Sequence, residues 1–369
     1  MNFFARGKEL NPIRYTKNED LPSVSILMAA YNEEVVLESK LTSLIGLDYP
    51  EEKLQIYVGS DNSTDKTNDI LNQYSAEYKH IHPIIYNSRQ GKPSIINQLA
   101  SSLDLDSDNH ILLLTDASVI LEEDCLFSLV RHFKNKKVGL VDAYMTYTGM
   151  KSEGISKSEN TYLTNEVSLK QNESKVWGQM IGPFGGCFTI RAKLFSPVPD
   201  NFLVDDFYLA MKVLEQDYLT INDMEAICFE PVSHTSSEEF RRKKRISTGN
   251  FQNLMAFKHL LNPFNSLGFS FISHKVLRWL GPFFMLSIFI SSALLALQGS
   301  HFFRILLFLQ LVWYLVIPIL DKLLGLLKIH FTMTRNISYF NLMNYALFLG
   351  FFASLKGVKS GIWQPTKRT

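Results

Sequence analysis

Ser23-Val24-Ser25-Ile26-Leu27-Met28-Ala29-Ala30 is bounded by Pro22 on one side and by Tyr31-Asn32-Glu33-Glu34 on the other. An apolar run of this length that stops abruptly in polar residues suits a strand buried on both faces and leading straight into a helix. Glu33 and Glu34 suit the positive end of that helix, whose pattern spans residues 35–44. The same unit recurs along the chain. Residues 55–59 form a second expected strand ending in Ser60-Asp61-Asn62-Ser63-Thr64-Asp65, and residues 81–86 a third ending in Asn87-Ser88-Arg89-Gln90-Gly91-Lys92. Ile111-Leu112-Leu113-Leu114-Thr115 is a fourth, ending at Asp116-Ala117-Ser118, and helical patterns at residues 70–74 and 95–103 lie between the strands.

Strands alternating with helices predict a parallel sheet with crossover helices. Ligands of such sheets lie beyond the carboxyl ends of the strands, so Asp61, Lys92 and Asp116 are expected in one crevice. No GxGxxG and no GxxxxGK[ST] follows any strand, which argues against a nicotinamide dinucleotide and against a P-loop.

Composition narrows the class further. Of 369 residues, 46% are hydrophobic and 20% charged, with 37 Lys plus Arg against 36 Asp plus Glu. That balance excludes a disordered chain and leaves no global field for nucleic acid. The three cysteines, Cys125, Cys187 and Cys228, include no CxxC pair, which argues against a disulfide framework or a zinc knot and for a reducing compartment. Residues 1–22 scatter charges with no apolar core of a signal peptide, so the chain is expected to begin inside the cell or to follow an earlier helix. Residues 279–303 then run 25 positions without Asp, Glu, Lys or Arg, longer than the roughly 20 that a spanning helix needs. Residues 305–320 and 336–355 are two more uncharged runs. Two or three membrane helices are expected within residues 280–356. Residues 263–279, with Lys275 and Arg278 among aromatic and aliphatic side chains and Trp279 at the end, read as a helix lying in the membrane interface. The basic tail, residues 357–369, belongs in the cytoplasm by charge. Three crossings would place it outside.

Six motifs in fixed order resemble the membrane-associated family 2 glycosyltransferases, which include cellulose, chitin and hyaluronan synthases and dolichyl-phosphate mannosyltransferases. They are Ala29-Ala30-Tyr31-Asn32-Glu33-Glu34, Ser60-Asp61-Asn62-Ser63-Thr64-Asp65, Arg89-Gln90-Gly91-Lys92, Asp116-Ala117-Ser118, Asp205-Asp206 and Arg242-Lys243-Lys244-Arg245-Ile246. The resemblance covers residues 23 to about 260 and continues into the apolar region. It implies a GT-A fold, a Rossmann-like nucleotide-diphospho-sugar transferase domain over residues 23–262, after a lead-in of residues 1–22. It also implies an integral protein of the plasma (inner) membrane with its catalytic domain in the cytoplasm.

By the same resemblance the nucleotide contacts are Ala30, Tyr31, Glu33, Asp61, Lys92, Asp116, Arg242 and Arg245, with Asp61 on the base. Asp206 is the base that deprotonates the acceptor hydroxyl and Asp205 orients the sugar or its neighbours. Gly185 and Gly186, in Gly182-Pro183-Phe184-Gly185-Gly186-Cys187-Phe188, face donor sugar and acceptor. The residues themselves also admit a plainer reading: a tight turn at the glycines, an N-cap pair at Asp205-Asp206, and a capping role for Asp116. A departing diphosphate needs a hard cation, so Mg²⁺ or Mn²⁺ on Asp116 and Ser118 is expected, Ser118 standing where the family has a second acid. The partners the resemblance implies are a nucleotide-sugar donor, expected to be a UDP-sugar, a saccharide or lipid-linked acceptor, and membrane lipid. Ile246 replaces the tryptophan of the synthases. The competing readings are a polyprenyl-phosphate glycosyltransferase, a nucleotidyltransferase on a similar sheet, and a non-catalytic subunit that binds a nucleotide sugar. His234 is a further candidate metal ligand, and residues 363–367 resemble a C-terminal Trp-x-x-Thr-Lys/Arg element of some synthases.

Overall fold

The computed structural model describes residue 5 and residues 8–148, 155–231, 236–327, 329 and 331–362. His234 and residues 363–369 lie outside these described residues. The first strand, β1 (Ser23–Ala30), has the bounds expected from its sequence. It is followed by helix α1 (Leu37–Ile45), β2 (Leu54–Asp61), α2 (Thr67–Glu77), β3 (Ile81–Tyr86), α3 (Lys92–Ser101), β4 (His110–Thr115) and β5 (Ile120–Leu121). Helix α4 (Cys125–Val130), β6 (Val138–Thr148), α5 (Ile155–Trp177), β7 (Cys187–Arg191), α6 (Asp205–Glu215), β8 (Leu219–Pro231) and α7 (Ser236–Ala256) complete the α/β part.

The described residues form an eight-stranded sheet in the order β3-β2-β1-β4-β7-β6-β8-β5. Strand β1 is central and sends alternate side chains to opposite layers. Ile26 and Met28 pack with Leu37, Leu41 and Leu44 of α1, while Leu27 packs with Ile95, Ile96 and Leu99 of α3. Burial on both faces is why the strand reads as an unbroken apolar run rather than an alternating one.

The expected parallel pairing holds for β3, β2, β1 and β4 and again between β6 and β8. Strand β7 runs antiparallel to both β4 and β6. The cause is the loop before it. Cys187 pairs with Thr115 at the carboxyl end of β4, so the glycine loop at residues 182–186 reaches the crevice first and β7 must run away from it. The first helix also starts later than expected, at Leu37, because Glu33 and Glu34 stay in a turn braced by the next loop: Glu33 N–H donates to Thr67 Oγ1 at 2.9 Å and Glu34 N–H to Asp65 Oδ2 at 3.1 Å.

Beyond α7 lie α8 (Ser266–Trp279), α9 (Gly281–Leu297), α10 (His301–Leu326) and α11 (Thr332–Leu355). Among the described residues one helix, α10, is long and apolar enough to cross a membrane, or two spans exist if α8 and α9, bent by 57°, act as one. Helix α11, which holds the third uncharged run, does not meet that test. It lies along α7, with Ser247 Oγ donating to the Leu347 carbonyl at 3.1 Å, Gly350 against Ser247, and Phe251 edge-on to Phe351 at 5.1 Å. The chain then returns to the α/β part. Asn201 Nδ2 donates to the Val358 carbonyl at 3.1 Å and Gly361 N–H to the Asp200 carbonyl at 2.8 Å. Both ends of the apolar region therefore pack against the α/β part.

The segment expected in the interface turns its polar side chains inward instead. Lys275 Nζ reaches Glu166 Oε1 of α5 at 2.6 Å, Arg278 Nη1 reaches Glu166 Oε2 at 2.7 Å, and His274 bridges Glu166 and Glu173 at 3.1 and 2.8 Å. Trp279 is buried against Phe207 and Phe271 rather than standing at a boundary. Two acids on α5 can neutralise these cations inside the protein, so they have no need to snorkel. Glu166→Gln leaves the buried Lys275 without the carboxylate that faces it and should lower unfolding stability by about 3–5 kcal/mol, as a denaturation midpoint in detergent would show.

Candidate active site

The loops after β1, β2, β3 and β4 and the start of α6 converge as the parallel part of the sheet requires. Asp61, at the end of β2, is buried and accepts from Arg89 Nε at 3.1 Å, Gln90 N–H at 2.7 Å and Gly91 N–H at 3.0 Å. Its carboxylate thus shapes the loop that opens α3. Gly91 has φ of 90°, a conformation that side-chain-bearing residues rarely adopt. The Arg89 guanidinium stacks 3.2 Å from the centre of the Tyr31 ring, which joins the β1 and β3 loops into one wall beside Ala30 and Glu33.

Lys92, the first residue of α3, is the electrostatic centre. Its ammonium lies 2.8 Å from Asp116 Oδ1 and 3.3 Å from Asp205 Oδ2. Burial alone would lower its pKa, but Asp116 and Asp205 hold it above the usual lysine value. Asp205 and Asp206 are the first two residues of α6, after Val204 at the N-cap, so the expected N-cap pair lies inside the helix rather than capping it. Phe207 N–H donates to Asp206 Oδ1 at 2.8 Å. Burial, and next the adjacent Asp205 carboxylate, push Asp206 up to about 6 against the pull of Lys92. That range suits a general base near neutral pH.

Gly185, at φ of 85°, presses its Cα against the Asp206 carboxylate, where a Cβ would collide with Oδ2. Gly186 meets Met145 and Val119 in the same way, and its carbonyl accepts the Asp116 N–H at 3.0 Å. The glycine loop is therefore more than a turn, because it touches both the Asp116 turn and Asp206.

The basic helix divides its charges. Arg245 is half-buried, donates to the Leu203 carbonyl at 3.3 Å and feels Asp205, Asp116 and Asp206; burial and then the neighbouring Arg242 lower its pKa. Arg242 pairs with Glu239 at 3.7 Å and Glu230 at 3.8 Å, so of the two expected diphosphate contacts Arg245 is the one whose surroundings are the crevice acids. Among the described residues no cluster of three or more His, Cys, Asp or Glu could hold a metal unaided. Asp116 is about one-third exposed, at 35%, and the buried Ser118 Oγ two residues on has no hydrogen-bond partner among the described residues. One carboxylate and one unmatched hydroxyl fit a divalent ion that takes its remaining oxygens from phosphate and water.

Two residues that sequence reasoning passed over support the glycine loop. Lys170 of α5, buried, lies 3.3 Å from Asp142 Oδ2 and 3.3 Å from the centre of the Phe184 ring, while Asp142 Oδ1 accepts the Phe184 N–H at 3.2 Å. Burial pushes Asp142 up to about 6, against Lys170. The available signal was an acid in the middle of the apolar strand Val138-Gly139-Leu140-Val141-Asp142-Ala143, a position that demands a partner. Gly185→Ala combines a left-handed backbone with a collision at the Asp206 carboxylate, and should cost more than about 1 kcal/mol in a thermal melt and abolish turnover.

Comparison with known proteins assigns this arrangement. Residues 25–198 match the family model Glycosyl transferase family 2. The chain is 28% identical over 250 residues to the probable glycosyltransferase YdaM of Bacillus subtilis, covering 66% of this chain and 59% of that protein. It is 27% identical over 252 residues to a beta-monoglucosyldiacylglycerol synthase of Nostoc sp., covering 65% and 52%. It is 24% identical over 262 residues to a poly-beta-1,6-N-acetyl-D-glucosamine synthase of Staphylococcus epidermidis, covering 69% and 61%. The matches thus span between half and two-thirds of these relatives' lengths. Among solved structures, the mannosyltransferase PcManGT of Pyrobaculum calidifontis, in complex with GDP-Man and Mn2+, superposes with a TM-score of 0.66 at 19% identity over 91% of this chain and 88% of that one. That likeness extends the shared GT-A fold through most of the chain. The α/β part of this protein carries a glycosyl transferase family 2 domain.

Proposed function

We propose that the chain is an inverting glycosyltransferase that moves a sugar from a nucleotide-diphosphate sugar to a hydroxyl of a saccharide or glycolipid acceptor at the membrane, in cell-envelope glycan synthesis. The observation that carries this reading is Asp206: a carboxylate tuned to about 6, held against Gly185 and within the field of Lys92. Asp206 takes the proton of the acceptor hydroxyl as that oxygen attacks the anomeric carbon, and the nucleoside diphosphate leaves from the opposite face, which inverts the configuration. Lys92 and Arg245 offset charge on the departing diphosphate. Asp116 and Ser118 would hold Mg²⁺ or Mn²⁺, which supplies Lewis-acid stabilisation of that leaving group. Tyr31, with Arg89 stacked on it, and Asp61 form the wall for the base, and Ala30 and Glu33 lie beside it. The relatives named for glycolipid and polysaccharide synthesis support an envelope acceptor. Ile246, in place of the synthases' tryptophan, supports one sugar per acceptor rather than a growing polymer.

Placement in the plasma membrane, with the α/β part in the cytoplasm, rests on the apolar surfaces of α9 and α10. Phe284, Ile288, Leu294, Phe302, Ile305 and Phe308 are all exposed there. Two crossings, with α9 of the bent α8–α9 pair as one and α10 as the other, agree with the docking of α8 on α5 and the return of residue 361 to Asp200.

The test is a panel of UDP- and GDP-sugars with membrane lipid extracts as acceptor, read by release of nucleoside diphosphate. Asp206→Asn should keep nucleotide affinity and lose about 10²- to 10⁴-fold in kcat, and Asp205→Asn should be milder. Because Asp206 must be ionised to accept a proton, wild-type kcat/KM should rise with pH through about 6, and that limb should vanish in Asp206→Asn. Wild-type turnover by Asp206→Asn on a verified hydroxyl acceptor would reject Asp206 as the base, and release of inorganic pyrophosphate would reject the reaction class.

A further inference from the structure

Helix α1 faces the sheet with Leu37, Leu41 and Leu44 fully buried at the spacing of one helical stripe, and Lys40 stands in that stripe with 0% exposure. A buried lysine is costly unless its charge does something there. Lys40 Nζ donates to Thr115 Oγ1 at 2.8 Å and to the Val119 carbonyl, both uncharged oxygens. These acceptors flank the turn that carries Asp116 and Ser118. Val119 N–H closes that turn on the Asp116 carbonyl at 3.2 Å. Thr115 Oγ1 passes its own proton to the Gly186 carbonyl at 3.0 Å, and the same carbonyl accepts the Asp116 N–H. One ammonium thus sets, through one hydroxyl, the spacing between the Asp116 turn and the glycine loop that faces Asp206. Burial lowers its pKa to about 8.

We propose that Lys40 is a positioning residue for the donor: it locks the Asp116-Ala117-Ser118 turn and the glycine loop into the arrangement that receives a cation-bound nucleoside diphosphate, and places a positive charge beneath that turn. The inference rests on the transferase reading of the crevice and adds to it a residue that touches no substrate. Its physical mark is a division between stability and binding. An apolar side chain of similar length would fill the slot without desolvating a charge, so the ammonium contributes little to folding. What it contributes is the shape and potential of the turn.

The experiment compares the full chain with Lys40→Met and Thr115→Val, measuring calorimetric affinity for UDP and for GDP with Mn²⁺, the electron paramagnetic resonance signal of bound Mn²⁺, and the melting temperature. Lys40→Met should melt at or above the wild-type temperature yet bind the nucleotide diphosphate about 10- to 100-fold more weakly, with a changed Mn²⁺ signal. Thr115→Val, which cuts the link to Gly186 and keeps the charge, should weaken binding in the same direction by a smaller factor. Binding by both variants within about twofold of wild type overturns the proposal. So does a loss of affinity in Lys40→Met that only tracks a fall in melting temperature while Thr115→Val binds normally, since Lys40 would then be structural alone. If Lys40→Met does not fold, Thr115→Val decides on affinity and Mn²⁺ signal. A wild-type protein that binds neither diphosphate with Mn²⁺ refutes the donor reading itself, and this inference with it.

Discussion

Three carboxylates, Asp116, Asp205 and Asp206, crowd around the single ammonium of Lys92, with the Arg245 guanidinium adding its field from α7. Burial, and next the neighbouring Asp205 charge, raise the proton affinity of Asp206 within this group. A nucleoside diphosphate adds further negative charge to a crevice already rich in it. Electrostatics alone would repel such a ligand unless a multivalent cation came with it, which gives a reason for divalent-metal use independent of any relative. The surrounding fold serves this charge arrangement: four parallel strands aim their carboxyl ends at it, β7 runs backwards to deliver the glycine loop, and α6 starts there.

Much of this was legible in the chain because it is local. Strands β1 and β3 have the bounds their apolar runs suggest, since residues 23–30 and 81–86 each give way to polar loop residues. Convergence of Asp61, Lys92 and Asp116 followed from the strand-end rule, and their chain positions sufficed. The direction of β7 was not legible, because it depends on where residues 182–186 must be delivered and not on the composition of 187–191. Long-range pairs were equally hidden. Asp142 advertised a need for a partner, but nothing local names Lys170, and nothing in Glu38, Ser39 and Thr42 around Lys40 marks it as buried until its register with Leu37, Leu41 and Leu44 is counted.

The same limit explains why the cations of residues 263–279 were expected to face headgroups. Aromatic and basic residues in alternation look alike whether the cations meet lipid phosphate or a protein carboxylate, and only Glu166 and Glu173, about a hundred positions earlier, distinguish the two. Because Glu173 also accepts the Ile181 N–H at 3.1 Å, just before the glycine loop, α5 mechanically joins the apolar helices to the crevice.

The return of residues 358–361 to Asp200 and Asn201 has a consequence for biogenesis. A Cβ on Gly91 would stand 3.0 Å from the Gly361 backbone, so this late segment packs directly against the loop that opens α3. On a ribosome that segment emerges only after α9, α10 and α11. The α/β part can collapse early around its sheet, but the outer wall beside Lys92 stays unfinished until the apolar helices have been threaded and turned back. Folding of the apolar helices thus precedes completion of the crevice, and chains stalled partway would lack its outer wall.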